Sequence, residues 1–524
     1  MHRTARALLS CVLLFAAFAG LVLSQQPKTN TIGGVVLRSS TNEPLPGVSV
    51  QLQPSGRSEA YEVQTANDGR FQFRNIPAGD YTLAAVRSGF VRSDYGRRRT
   101  SDPPFILTVG SNRTIDSIEL HMVPSGAVFG RVTNGEGEPV AAAIVRAWLE
   151  TFVDGQRAVR LITTVSTDDL GNYRLFSLAP GKYYVSTVLR TGANNAPSFY
   201  PDTTDIRAAG LITLSAGSMA GGINITYRAE SGRTVRGTVS FSGTEASVQL
   251  TPRIPIVSER SNLAVPVDPR TGGFSTPQIA PGAYILTAIS DNVSTETAID
   301  VGNAAVVDVR VAIPSPIEIA AHVSPDPTAA SNRIDLSRVM FGIRRDTGVP
   351  DLPDATYTPG IENTFTIRLA PGDYRMRTVM TPPNAYIQSI RLGNVDVLND
   401  GLHLDSSVRT PLEIVIAADT GALDGVVANA QRRSEPNVVV VLIPAAPRRQ
   451  RVDLIQNVRT DDEGRFKFEH VPPGDYSVYS WEDVEPTAWM NANFMKEYES
   501  LGKPVHVDAG GRQTVLVEAI ASGN

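Results

Sequence analysis

The sequence predicts an all-β protein built as a tandem array of about five antiparallel, seven-strand β-sandwich modules. Three observations carry this. Glycine and proline together make up 79 of 524 residues and are spread along the chain, a punctuation that suits many short strands. Hydrophobic residues make up 42% and charged residues 19%, enough apolar material for a core in each module and too much for a disordered chain. A Gly-x-Tyr signature recurs five times, at Gly79-Asp80-Tyr81, Gly181-Lys182-Tyr183, Gly282-Ala283-Tyr284, Gly372-Asp373-Tyr374 and Gly474-Asp475-Tyr476, with glycines 102, 101, 90 and 102 residues apart.

Each copy has the same surroundings. Pro77, Pro180, Pro281, Pro371 and Pro473 stand one or two positions before the glycine, and Ile76, Leu178, Ile279, Leu369 and Val471 stand three before it. Eight before it is an aromatic in four copies (Phe71, Tyr173, Phe274, Phe466); in the fourth copy Phe365 is displaced by one place. Proline fixes φ and glycine accepts φ > 0, so Pro-Gly makes a reversal into the next strand. After the tyrosine, alternation such as Tyr81-x-Leu83-x-Ala85 reads as a half-buried strand. Before the aromatic, Asn67-Asp68-Gly69, Asp168-Asp169-Leu170-Gly171 and Asp461-Asp462-Glu463-Gly464 read as hairpin turns with glycine in a left-handed position. The two acidic turns could also offer carboxylates to Ca²⁺, but they lack the alternating ligand spacing of a dedicated loop.

A glycine-containing strand opens four modules: Gly34-Val35-Val36, Gly130-Arg131-Val132, Gly237-Thr238-Val239 and Gly425-Val426-Val427. The fourth module lacks it at Ile317-Glu318-Ile319-Ala320. Boundaries follow from the repeat: leader 1–24, then modules 25–124, 125–229, 230–313, 314–420 (divergent) and 421–524 (with a helical excursion). The junctions are short, which favours a semi-rigid string of modules.

The leader has Arg3 and Arg6, an apolar stretch over 7–23 and Ser24 at a plausible cleavage point, as a secretory signal does. The same run could be an uncleaved anchor, and no second run of that length follows. Cys11 within it is the only cysteine, so a cleaved chain has neither disulfides nor thiolate metal ligands. Together these point to export to the periplasm, the outer membrane or the exterior. Without the leader, 46 basic residues face 53 acidic ones, a balance unsuited to nucleic acid. Arg97-Arg98-Arg99, the densest basic run, reads as a solvated loop or as a contact for anionic surface polymers.

The module pattern resembles the carboxypeptidase regulatory-like domain. The residues that carry it are Gly34-Val35-Val36, Glu43-Pro44-Leu45-Pro46-Gly47-Val48-Ser49-Val50, Asn67-Asp68-Gly69-Arg70-Phe71 and Ile76-Pro77-Ala78-Gly79-Asp80-Tyr81. They have counterparts at Thr460 to Phe466 and Val471 to Tyr476. Modules one, two and five match most fully and module four least. The resemblance implies a transthyretin-like, carbohydrate-binding-like sandwich that is a non-catalytic accessory or interaction module. The segment from Trp481 to Glu499 looks like the C-terminal part of large secreted bacterial repeat proteins carrying this domain.

Catalytic constellations are not found in the sequence. None of His121, His322, His403, His470 and His506 has Glu three positions on, and there is no His-Glu-x-x-His, Gly-x-Ser-x-Gly or phosphate loop. We therefore expect no catalytic, cofactor-binding or metal-binding residues. The candidate ligand site is aromatic: Tyr479, Trp481 and Trp489, with Glu482, Asp483 and Asn491 nearby. Exposed rings can stack on a sugar face while the polar groups bond its hydroxyls. The opposing reading is core packing, because Met490, Phe494, Tyr498 and Leu501 recur at helical spacing over 487–501, as in one amphipathic helix docked on the last sandwich. Function is then expected to be binding or scaffolding for a glycan, envelope polymer or envelope protein. The alternatives are an accessory part of a secreted hydrolase or peptidase system and a purely structural surface spacer. The far-UV circular dichroism of residues 25–524 should be β-dominated; a helical fraction above about one third would overturn the fold class.

Overall fold

The computed structural model describes residues 30–521 except 57–58, 98–104, 190–196, 229–232, 255–262, 292, 303–305, 328–333, 347–354, 383 and 406–407. The leader with Cys11, Arg98, Arg99 and the junction at 229–232 lie outside the described residues. The chain forms two compact units that part between Pro124 and Ser125. Strands dominate, and among the described residues α-helix is confined to two single turns, Val397–Asp400 and Ala492–Met495.

The first unit is one sandwich. Arg70–Ile76, Asn30–Arg38 and Thr114–Met122 form one sheet. Tyr61–Gln64, Ser49–Pro54 and Gly79–Val86 form the other, extended by the short strands Ser93–Asp94 and Leu107–Val109. Alternation sends Ile32, Val36, Val50, Leu52, Phe71, Phe73, Tyr81 and Leu83 into the space between the sheets. The second unit repeats this plan around four further cores: one from Val128 to Tyr227, one from Val235 to Ile313, one from Ile317 to Ile416 and one from Leu423 to Val517. In the last, pairing of Gly474–Trp481 with Arg512–Ile520 joins the two sheets along one edge.

Two local constraints recur. Most ladders are antiparallel, but in every module the opening strand lies parallel to a closing strand, and in module five Gly474–Trp481 also runs parallel to Arg512–Ile520. Examples are Asn30–Arg38 with Thr114–Met122 and Gly421–Ala428 with Arg512–Ile520. In modules one and three this parallel register slips beside the opening glycine, at Gly34 and Gly237. A Cβ there would sit 2.0 Å from the carbonyl oxygen of Ile118 or Val309, so only glycine fits. The fourth module, which lacks the glycine, pairs Ile317–Pro325 with Leu412–Ala417 with no slip, whereas module five has no slip and keeps Gly425, where a Cβ would lie 2.3 Å from the Phe466 ring.

The second constraint is the Gly-x-Tyr corner. The five glycines adopt φ between 135° and 159°, a region essentially closed to residues with a Cβ. The chain thereby turns so that each tyrosine hydroxyl donates to the carbonyl four residues upstream. The bonds are Tyr81 to Pro77 (2.9 Å), Tyr183 to Ala179 (2.8 Å), Tyr284 to Ala280 (2.8 Å), Tyr374 to Ala370 (2.7 Å) and Tyr476 to Pro472 (2.7 Å). Four of the rings are buried and Tyr284 is half-buried. Burial pushes the phenols of Tyr183 and Tyr284 up to about 12 and raises those of Tyr374 and Tyr476, so the rings remain neutral donors. In the first unit, Tyr81→Ala should cost ~3–5 kcal/mol and Tyr81→Phe about 1 kcal/mol on a urea curve of residues 25–124. A loss below ~1 kcal/mol for the alanine variant would show that the corner is not a core anchor.

Candidate functional site

Tyr479, Trp481 and Trp489 do not form an exposed platform. Their relative exposures are 2%, 2% and 6%. Stacking on a sugar needs a ring face open to solvent, so the aromatic reading is corrected to core packing. The strand Gly474–Trp481 sends Tyr476 and Val478 into the sandwich, and Tyr479 and Trp481 belong to a second apolar cluster with Val441 and Ile443 of the neighbouring strand. Residues 482–502 fold back over that cluster. Val484, Ala488, Trp489 and Met495 complete it, while Glu482 and Asp483 are half-buried at its margin. Tyr479 stacks on Trp481 at 5.5 Å, and Tyr498 meets Trp481 edge-on at 5.7 Å.

This cover is not the single helix expected over 487–501. It is a 3₁₀ turn, Ala488–Met490, one α-turn, Ala492–Met495, and a second 3₁₀ turn, Glu499–Leu501. Thr487 is left-handed (φ 60°), and Asn491 is extended and uses its side chain to cap Phe494 N at 2.9 Å. The apolar spacing reflects a chain draped over a sheet, with a helix start forced at Asn491.

The cover also reaches the second module. That module's long hairpin, Ile144–Val153 and Gln156–Ser166, carries its turn to residues 482–502. Asn491 Nδ2 donates to Gly155 O at 2.7 Å, Thr151 Oγ1 donates to Glu485 Oε2 at 3.0 Å, and Phe152 meets Phe494 edge-on at 6.1 Å. Gly155 is left-handed, and a Cβ there would lie 2.8 Å from the Met490 backbone, so the turn is fitted to its partner.

Beside this contact lies a cavity of about 420 Å³, with walls from modules two, four and five. Six arginines line it, Arg344, Arg345, Arg375, Arg377, Arg449 and Arg451, against Asp154, Asp346 and Asp453. Arg344 and Arg345 end the strand Met340–Arg345; Arg375 and Arg377 alternate on its neighbour, Gly372–Met380. Arg449 and Arg451 belong to the 3₁₀ turns that follow Val439–Pro444. Arg451 grips Asp453 through two bonds, 2.9 and 2.7 Å, and both side chains are nearly buried. Arg375 pairs with Asp346 at 3.0 Å and donates to Gln450 of module five. Arg344 lies 3.8 Å from Asp154 of module two. Arg345 lies over the Tyr374 ring at 5.4 Å and donates to Pro371 O at 2.7 Å, as Arg448 lies over Tyr476 at 5.0 Å and donates to Pro473 O at 2.9 Å. The cationic corner is therefore doubled, once in module four and once in module five.

The remaining sequence candidates occupy ordinary positions. Asp168 accepts from the backbone N–H groups of Leu170 and Asn172, and Asp461 from those of Glu463 and Arg465, so both carboxylates hold their hairpin turns. The Asn172 bonds hold Asp168 below the usual carboxylate range. His403 and His506 are exposed and pair across strands with Asp373 and Asp475, each at 2.6 Å, which raises both imidazoles. Among the described residues no three His, Cys, Asp or Glu side chains gather as metal ligands, and no helix is long and apolar enough to cross a membrane.

Residues 31–120, the first sandwich, match the model of the carboxypeptidase regulatory-like domain. A relative, Colossin-A of Dictyostelium discoideum, is 28% identical over 148 residues, which cover 26% of this chain and 1% of the relative; the chain thus spans a very small part of that protein. Among solved structures, the minor pilin GBS52 of Streptococcus agalactiae aligns at 14% identity and TM-score 0.21 over 38% of this chain and 97% of that one. Two B repeats of the collagen-binding protein of Staphylococcus aureus align at 12% identity and TM-score 0.14, over 74% of this chain and 100% of that one.

If residues 482–502 clamp the second module, Asn491→Ala combined with Phe494→Ala should speed amide exchange at residues 151–157. Unchanged protection there, with the last core still intact, would remove the clamp from the account.

Proposed function

We propose that this chain is an exported, non-catalytic scaffold whose second unit holds modules two and five in fixed relation, and that it presents its β-sandwich modules to a partner at the cell envelope, a glycan or other envelope polymer being the partner class. The observation that carries this reading is the clamp between modules two and five, whose bonded residues Thr151 and Glu485 are 334 positions apart. A chain serving only as a flexible tether has no use for a turn glycine fitted to a distant partner. Fixed modules give repeated weak contacts a defined spacing, and linked contacts on a polymer gain avidity without new chemistry. The acidic balance of the chain argues against nucleic acid as the partner.

The domain family of the first sandwich supports an accessory role, and the sequence motifs supply no nucleophile–base pair. Export rests on the leader alone. Purified residues 25–524 should be retained by at least one polysaccharide in a panel of soluble glycans and insoluble cell-wall polymers. Retention should be stronger than that of residues 25–124 alone. Failure across the whole panel would replace the polymer reading with that of a structural spacer.

A further inference from the structure

We propose that the arginine-lined cavity at the meeting of modules two, four and five binds an oxyanion, a carboxylate or phosphate group on a small ligand or on one unit of a larger one. Six arginines and three aspartates line it, in a chain whose net charge is −5. Such a concentration of like charge in a partly enclosed space is unfavourable until an anion enters it. Three of the arginines already meet an aspartate each: Arg344, Arg375 and Arg451. Arg345 does not; its bonds go to the Pro371 carbonyl and the Tyr374 hydroxyl, neither of which offsets its charge, and its Nε is buried with no hydrogen-bond partner among the described residues. Arg449 is half-buried and has neither an ion pair nor a hydrogen bond among the described residues.

Trp489 also lines the cavity, at 6% exposure. A ligand oxygen would supply the negative charge and the acceptor that Arg449 lacks here. The planar guanidinium favours carboxylate and phosphate, which accept two parallel bonds. The volume, about 420 Å³, is that of a small-molecule site rather than of a single ion. The site requires no polymeric partner, so it stands or falls separately from the polymer reading above.

Isothermal titration of residues 25–524 in low-salt, phosphate-free buffer tests it. The probes are inorganic phosphate, citrate, a galacturonic acid trisaccharide and, as control, a neutral galactose trisaccharide. At least one oxyanion should bind saturably with Kd of about 1 mM or tighter, while the neutral sugar does not bind. Arg449→Ala should weaken binding roughly tenfold or more, Arg449→Lys should weaken it less, and added salt should weaken it further. Because Arg449 holds no partner among the described residues, the Tm of both variants should match wild type. Binding of phosphate alone assigns a phosphate-bearing ligand, and binding of citrate or galacturonate assigns a carboxylate. The proposal is overturned if no oxyanion binds at about 1 mM, or if Arg449→Ala and Arg449→Glu, both folded, bind as wild type does.

Discussion

Each module is organised around one corner, in which a buried or half-buried tyrosine ring reaches back through its hydroxyl to the carbonyl four residues upstream. The bond closes the reversal between two strands of opposite sheets, and it places the largest side chain of the corner in or at the edge of the core. It demands a glycine at a φ that other residues avoid and a proline-containing approach that fixes the direction of the turn. The strand that leaves the corner is the one that pairs with the second strand of every module, so its register follows from the same anchor. Pro54 opposite Tyr81 and Pro444 opposite Tyr476 show that register kept at both ends of the chain.

On this scaffold the modules are differentiated by what covers the outer faces of their sheets. In module two, Trp148, Val159 and Phe199 form an outer cluster, with the Trp148 indole bonded to Ser186 at 2.8 Å. In module five the outer face is larger and more aromatic, and residues 482–502 together with the module-two turn close over it. Phe152 of module two packs against this cluster, and Asn491 and Glu485 tie the module-two turn to it through single hydrogen bonds. The arginine cavity forms beside this contact, bounded by segments that no single module contains.

The parts of this architecture that were legible in the sequence are the local ones. A reversal, a hairpin turn and a strand alternation each declare themselves within about ten residues, because backbone sterics and pleat act at that range. Gly69, Gly171 and Gly464 take the left-handed conformation their turns require. The tyrosine bond was hidden because burial pattern does not reveal where a hydroxyl points. The aromatic run at 479–489 was ambiguous by nature, since a sheet face covered by its own chain and one open to a sugar have the same composition. The spacing of Met490, Phe494 and Tyr498 resembled a helix because a chain crossing a sheet also returns apolar groups at intervals of three or four. The arginine site had a faint trace in Arg344-Arg345 and Arg448-Arg449-Gln450-Arg451, yet nothing in either segment indicates that they meet each other or Trp489.

The parallel pairing of first and last strands has a mechanical meaning. When two neighbouring strands run in the same direction, the chain arrives at one end of the pair and departs from the other. Tension applied along the polypeptide therefore pulls the two strands lengthwise past each other. All the hydrogen bonds between Gly421–Ala428 and Arg512–Ile520, or between Asn30–Arg38 and Thr114–Met122, bear that load together, whereas a hairpin pulled from its open end parts one bond at a time. A chain of such modules resists stretching through its strongest direction, a property suited to a protein held at one end and loaded at the other.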